Sequence, residues 1–263
     1  MKPLAVESIG LLAPGLSGWA ASREVLIGAR AHAAEPLPVA IATLLPANER
    51  RRTTVTIKLA LQVAQEAMAE AAGDARTVSA VFASSGGDSE ILDKICTALT
   101  QPDRPVSPTH FHQSVHNTPA GYWSIATSCR QPSLSLSAYD HSFATGLSEA
   151  AALAWAEAAQ VLLVAYDLPL PFPLAERRHI VAPFAVALLL NPVSTERRQA
   201  LIRLRRLPAG PVDRLDDPGL ERLRADNPAA RGLPLLCAIA RRAAGLVMLP
   251  AGEDAALQVE VER

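Results

Sequence analysis

Residues 132–150 read PSLSLSAYDHSFATGLSEA. Serine alternates with leucine up to Ala138, as in a strand. The chain then turns at Tyr139-Asp140-His141 into a run of small residues suited to a helix. A strand that turns sharply into a helix sets the turn residue beside unpaired backbone N–H groups, where the helix dipole favours negative charge. A cysteine there becomes a reactive thiolate. An aspartate there is held as a carboxylate, which is a poor proton donor and a weak nucleophile. Capping the helix is the plain role for Asp140. An Asp140–His141 acid–base pair and a substrate contact are the alternatives.

Outward from this turn, apolar runs suited to strands lie at 5–12, 77–84, 132–139, 161–166 and 183–190, and helical patterns at 16–28, 53–72, 88–100, 110–129 and 141–158. In the second of these helices Ile57, Leu61, Ala64 and Met68 recur at helical spacing. Strands separated by helical crossovers predict an α/β sheet, paired in parallel and covered on both faces. One layered domain is expected over 1–194. The remainder, 195–263, is expected to pack on it as an α+β extension: a strand at 200–207, a loop at 208–232, a helix, and a β-hairpin closing the chain.

The 263 residues carry a net charge of -1, with basic and acidic residues interspersed, so no broad positive face is offered to nucleic acid or an anionic membrane. The opening residues are too interrupted for a signal peptide, and no segment has the ~20 consecutive apolar residues of a membrane span. Cys96, Cys129 and Cys237 stand far apart, without the spacing of a disulfide framework or a zinc ribbon. Reduced thiols in a cytoplasmic protein are expected.

The opening stretch and the one before it resemble the β-ketoacyl synthase family of the thiolase-like fold. The likeness rests on Asn117-Thr118-Pro119-Ala120-Gly121, Arg130-Gln131-Pro132-Ser133, the SLSLSA strand, the turn, and the small-residue helix through Glu149-Ala150-Ala151. These follow the family pattern N-x-x-A-G, R-G-P-S, strand, T-A-C, helix. In that register Asp140 stands where the catalytic cysteine would be. Ser84-Ser85-Gly86-Gly87 resembles the turn after the family's second strand; it lacks the lysine of a phosphate-binding loop. The resemblance covers 5–192, the first half of a ketosynthase. The second half normally supplies two histidines, and 195–263 contains none. A finer likeness, through GLLAPGLSGWA, SVHNTPAGYWSIAT, VLLVAYDLPLPFP and PFAVALLLNP, is to short chain-length-factor-like proteins of bacterial aryl polyene pathways.

The resemblance implies a subunit with no catalytic residue and no cofactor. It would form a heterodimer with a full-length β-ketoacyl synthase, shape that enzyme's acyl tunnel, and meet acyl carrier protein through the complex. Nucleic acid and membrane are not expected partners. The strand before the turn would lie against the partner, and the segment around His110, Phe111 and His112 would reach the tunnel, with Phe111 as its end wall. Asn117, Leu134, Leu136, Tyr139, Asp140 and Phe143 complete the tunnel- or partner-facing set. A half-fold would also leave an apolar face for a partner to cover. The rival readings are an independent thioesterase or decarboxylase working through Asp140, His141 or His116, and a purely structural partner. The spacing of His110, His112 and His116 would suit a metal only if the last two share a helix face; histidines hydrogen-bonded at an interface explain the same letters, and no metal is expected.

Overall fold

The computed structural model describes residues 2–193 and 198–262. In chain order the strands and α-helices begin with β1 (Leu4–Ala13), β2 (Leu16–Ser17), α1 (Trp19–Leu26), α2 (Ala47–Arg52) and α3 (Val55–Ala71). Next come β3 (Ser79–Ala83), α4 (Ser89–Leu99), α5 (Pro108–Ser114), α6 (Thr118–Thr127) and β4 (Ser133–Leu136). The chain continues through α7 (Ser142–Glu157), β5 (Val161–Asp167), β6 (Phe184–Asn191) and β7 (Ala200–Pro208), and closes with α8 (Pro218–Asp226), α9 (Leu233–Arg241), β8 (Gly245–Pro250) and β9 (Ala255–Glu262).

The strands form one sheet in the order β4-β3-β5-β6-β1-β7-β9-β8, with β2 beside β1. Side chains alternate between its two buried faces. On β5, Val161, Leu163 and Ala165 belong to the core on the α7 side, while Leu162, Val164 and Tyr166 belong to the core on the α3 side. Burial on both sides explains why these strands read as unbroken apolar runs. The parallel pairing expected over the first ~190 residues holds only where β3 lies between β4 and β5, while the closing hairpin of β8 and β9 is antiparallel as expected. From β5 onward the ladders are antiparallel. The reason is local: the 168–183 connection contains no long helix to carry the chain back across the sheet, so β6 returns alongside β5.

β1 lies against α3 so closely that a Cβ at Gly10 would overlap the Val63 carbonyl. β7 pairs with β1 only over Leu4–Val6. Past that point two glutamates of α3 take the place of a neighbouring strand. The Ile9 N–H donates to Glu70, and Glu66 accepts from the N–H groups of Leu11 and Trp19. Burial raises the pKa of both carboxyls, opposed by these same hydrogen bonds.

Several local expectations are corrected. The helix expected over 16–28 starts only at Trp19, because Gly15 and Gly18 take positive φ and turn the chain through β2 first. The single helix expected over 110–129 is broken between Ser114 and Thr118. Pro119, which brings no N–H, starts a new helix there, and the Thr118 hydroxyl bonds the Val115 carbonyl. The expected loop at 208–232 contains α8, capped by Asp217, whose carboxylate accepts from Gly219 and Leu220 N–H. The expected boundary at 194/195 lies outside the described residues. Residues 200–262 extend the same sheet and the same core, through Ile202, Leu235 and Val259.

Replacing Glu66 with alanine leaves two backbone donors without their acceptor. The expected loss is about 2 kcal/mol of unfolding free energy in urea titrations, with Glu66→Gln retaining most of it because its amide oxygen still accepts.

Candidate functional site

The parallel strands β3, β4 and β5 end side by side, and ligand sites in α/β sheets lie beyond such carboxyl ends. The turn after β4 is a single 3-10 turn, Tyr139–His141, leading directly into α7. Tyr139 has φ +51, a conformation that a bulky residue adopts at a cost and that marks a strained elbow. The Ser142 hydroxyl braces it, accepting from Ala138 N–H at 3.1 Å and donating to the Tyr139 carbonyl at 2.7 Å.

Asp140 is not a helix cap. The N-cap of α7 is His141, without a side-chain capping bond. The Asp140 carboxylate instead sits between two guanidiniums: Arg178 Nη2 donates to Oδ1 and Arg231 Nη2 to Oδ2, each at 2.9 Å. Arg178 also stacks on the Tyr139 ring, 3.7 Å from its centroid. Sequence reading missed both arginines, which lie 38 and 91 residues beyond Asp140; nothing in the local pattern pointed to them. Burial lowers the Arg231 pKa, opposed by Asp140 and reinforced by Arg224 and Arg178.

A second polar group lies behind the elbow. Ser84 Oγ, Ser85 N–H and Ser85 Oγ all donate to Asp167 Oδ1, at 3.1, 2.8 and 2.7 Å. Asn227 Nδ2 donates to the Asp167 and Ala182 carbonyls. Ser137 Oγ reaches the Ser85 carbonyl, and His116 Nε2 lies 3.0 Å from the Leu136 carbonyl. Burial pushes the Asp167 carboxyl up to about 6 against the pull of the Ser85 and Ser84 hydrogen bonds and of Arg178. The Ser84–Gly87 turn therefore serves to seat Asp167.

The remaining sequence-derived residues separate into groups. Phe111 is 70% exposed on α5, and Leu134 and Tyr139 are exposed beside the elbow. His112 packs edge-on to Tyr122 at 6.2 Å and, with Asn117, lines a groove of about 700 Å³ between residues 44–49 and α6. His110 is half-buried, near the start of α5. Leu136 packs partly on the core. Phe143 does not face outward: it is 1% exposed, its ring pressed against Gly232. His116 lies outside α5, so it shares no helix face with His112. Among the described residues no three His, Cys, Asp or Glu side chains are grouped to hold a metal ion. The three cysteines are unbonded: Cys96 lies in α4, Cys237 is buried in α9 and Cys129 follows α6. With both Asp140 oxygens bound by arginine, the elbow has the shape of a nucleophile site and no activated nucleophile.

A family model described as beta-ketoacyl synthase, N-terminal domain, matches residues 19–214, and the chain belongs to that family. Its fold is thiolase-like. It is similar, at 23% identity and TM-score 0.76 over 99% of each chain, to a chain from a complex of a ketosynthase (ApeO) with its chain length factor (ApeC) from Xenorhabdus doucetiae. It is similar to the ishigamide ketosynthase/chain length factor at 13% identity and TM-score 0.74, covering 100% of this chain and 99% of that one. A chain from AntDE:AntF, a type II PKS acyl-carrier protein in complex with its ketosynthase, aligns at 11% identity and TM-score 0.73, over 98% of this chain and 99% of that one. No curated protein matches it by sequence. No helix among the described residues is long and apolar enough to cross a membrane.

Asp167 gives this site a pH signature. Its carboxyl ionises at about 6 when folded, against an ordinary 3.8, so its stabilising contribution is full below 3.8 and lost as pH rises through 6. Relative to Asp167→Asn, whose amide oxygen keeps the serine bonds, the wild-type protein is expected to lose on the order of 3 kcal/mol between about pH 4 and pH 7. Urea titrations of both proteins across that range check it; parallel curves would remove Asp167 from the account.

Proposed function

We propose that this chain is a non-catalytic, chain-length-factor-like subunit that pairs with a full-length β-ketoacyl synthase and shapes that enzyme's acyl tunnel in polyene- or fatty-acid-type biosynthesis. The observation that carries the reading is the elbow: the strand, strained turn and small-residue helix are kept, while the nucleophile's position holds a carboxylate tied to two arginines. The complexes of ketosynthase with chain length factor among the similar structures support it. An acyl carrier protein, present in another of them, would be met through the complex.

The docking edge follows from the β4 ladder. Ala80 N–H donates to the Pro132 carbonyl and Ser84 N–H to the Leu136 carbonyl. Parallel pairing alternates, so Pro132, Leu134 and Leu136 bond toward β3, and the backbone groups of Ser133, Ser135 and Ser137 point away from the sheet. Soluble proteins guard such edges with charge, proline or a covering loop. Residues 133–137 carry no charge and no proline, and exposed Leu134 and Tyr139 lie beside them. An edge of this kind suits addition of a partner's strand. In that arrangement α5 is the element that reaches the partner's tunnel, with Phe111 as its bulkiest exposed side chain.

Co-expression with a ketosynthase followed by size-exclusion chromatography tests the edge. Ser135→Pro removes an outward N–H and no bond to β3; it is expected to abolish the heterodimer while leaving the isolated chain folded. Phe111→Ala is expected to keep the heterodimer and lengthen the product, measured by mass spectrometry of the released chains. A stable monomer that hydrolyses acyl thioesters, and loses that activity on Asp140→Ala, would replace this reading with that of an independent enzyme.

A further inference from the structure

We propose that the elbow is a carboxylate-binding site, built by Arg178 and Arg231 and filled by the chain's own Asp140, and that this internal ligand locks the 168–183 connection and the Ala229–Gly232 turn onto the strained turn. The locking deepens the partner reading above, since that connection also carries the exposed Phe172 and Leu174. The binding claim stands without it.

Three features distinguish a built site from an incidental surface pair. The guanidiniums take one carboxylate oxygen each, the geometry of anion recognition, and neither arginine side chain is more than 21% exposed. Each is also held from another side: Arg178 lies flat on the Tyr139 ring, and Gly232, next to Arg231, is pressed against Phe143. These contacts hold the two arginines near the turn when Asp140 is cut back, but more loosely than the ion pairs do, so a free carboxylate can both enter between them and tighten their segments. The site also holds a donor that Asp140 does not use, since Arg231 Nε is buried without a hydrogen-bond partner. Two cations facing one carboxylate make a site that a free carboxylate of acetate size would enter once the Asp140 side chain is cut back to Cβ. Asp140 acts here as a positioning residue, joining segments 38 and 91 residues away.

The test uses the isolated full chain, so it does not depend on a partner. Asp140→Ala is expected to lower the thermal midpoint by roughly 5 °C, the effect of a lost charge-assisted pair in a chain of this size. It is also expected to speed trypsin cleavage after Arg177 and Arg178. Sodium acetate should restore both, and sodium chloride at equal ionic strength should not, which separates occupancy from screening. Asp140→Asn should lose stability without recovering in acetate, because its amide leaves no room. If Asp140→Ala does not fold, Asp140→Ser takes the same measurements. An acetate response no larger than that of the wild-type protein, or unchanged cleavage in Asp140→Ala, would overturn the proposal. If the acetate response appears while the heterodimer never forms, the site stands and the partner reading fails.

Discussion

Backbone hydrogen bonding along the rim of the sheet is the constraint on which the rest of the structure depends. A sheet buried on both faces leaves its N–H and C=O groups only other protein groups as partners, and each one left unmet costs free energy. This chain meets the demand in two ways and leaves it unmet at a third place. Along β1, beyond the reach of β7, Glu66 and Glu70 accept from N–H groups that no strand covers. At the β8 edge Asp213 does the same work, its N–H donating to the Met248 carbonyl and its carboxylate accepting from the Met248 N–H. At β4 no group among the described residues meets the outward backbone of Ser133, Ser135 and Ser137. That uncovered rim is the one leading into the elbow.

Much of the fold was legible because burial on both faces writes itself as continuous apolar runs, and because Thr54 and Asp88 cap helices whose apolar spacing is regular. What was not legible depended on distance in the chain. The antiparallel return of β6 is decided by the absence of a helix in 168–183, a segment whose letters alone carry no pairing rule. The break after Ser114 was available in Asn117-Thr118-Pro119, since proline at a helix start is a local signal, yet the apolar spacing on either side ran through it. For the site, the strand, turn and helix of the elbow were readable from 132–150. The arginines were not, since an ion pair formed across 91 residues has no sequence period.

An aspartate at the elbow has physical consequences for the rest of the chain. A neutral thiol can sit at a helix start without fixed partners, whereas a carboxylate taken half out of water needs compensating donors. Here the compensation comes from Arg178 and Arg231, and each brings a separate segment with it. Arg178 belongs to the connection that lets β6 return antiparallel, and Arg231 to the turn whose Gly232 accommodates the Phe143 ring. The carboxylate at the elbow thus ties the C-terminal part of the chain to it. The elbow is closed by its own side chain, while the strand before it keeps an outward rim that no described group meets.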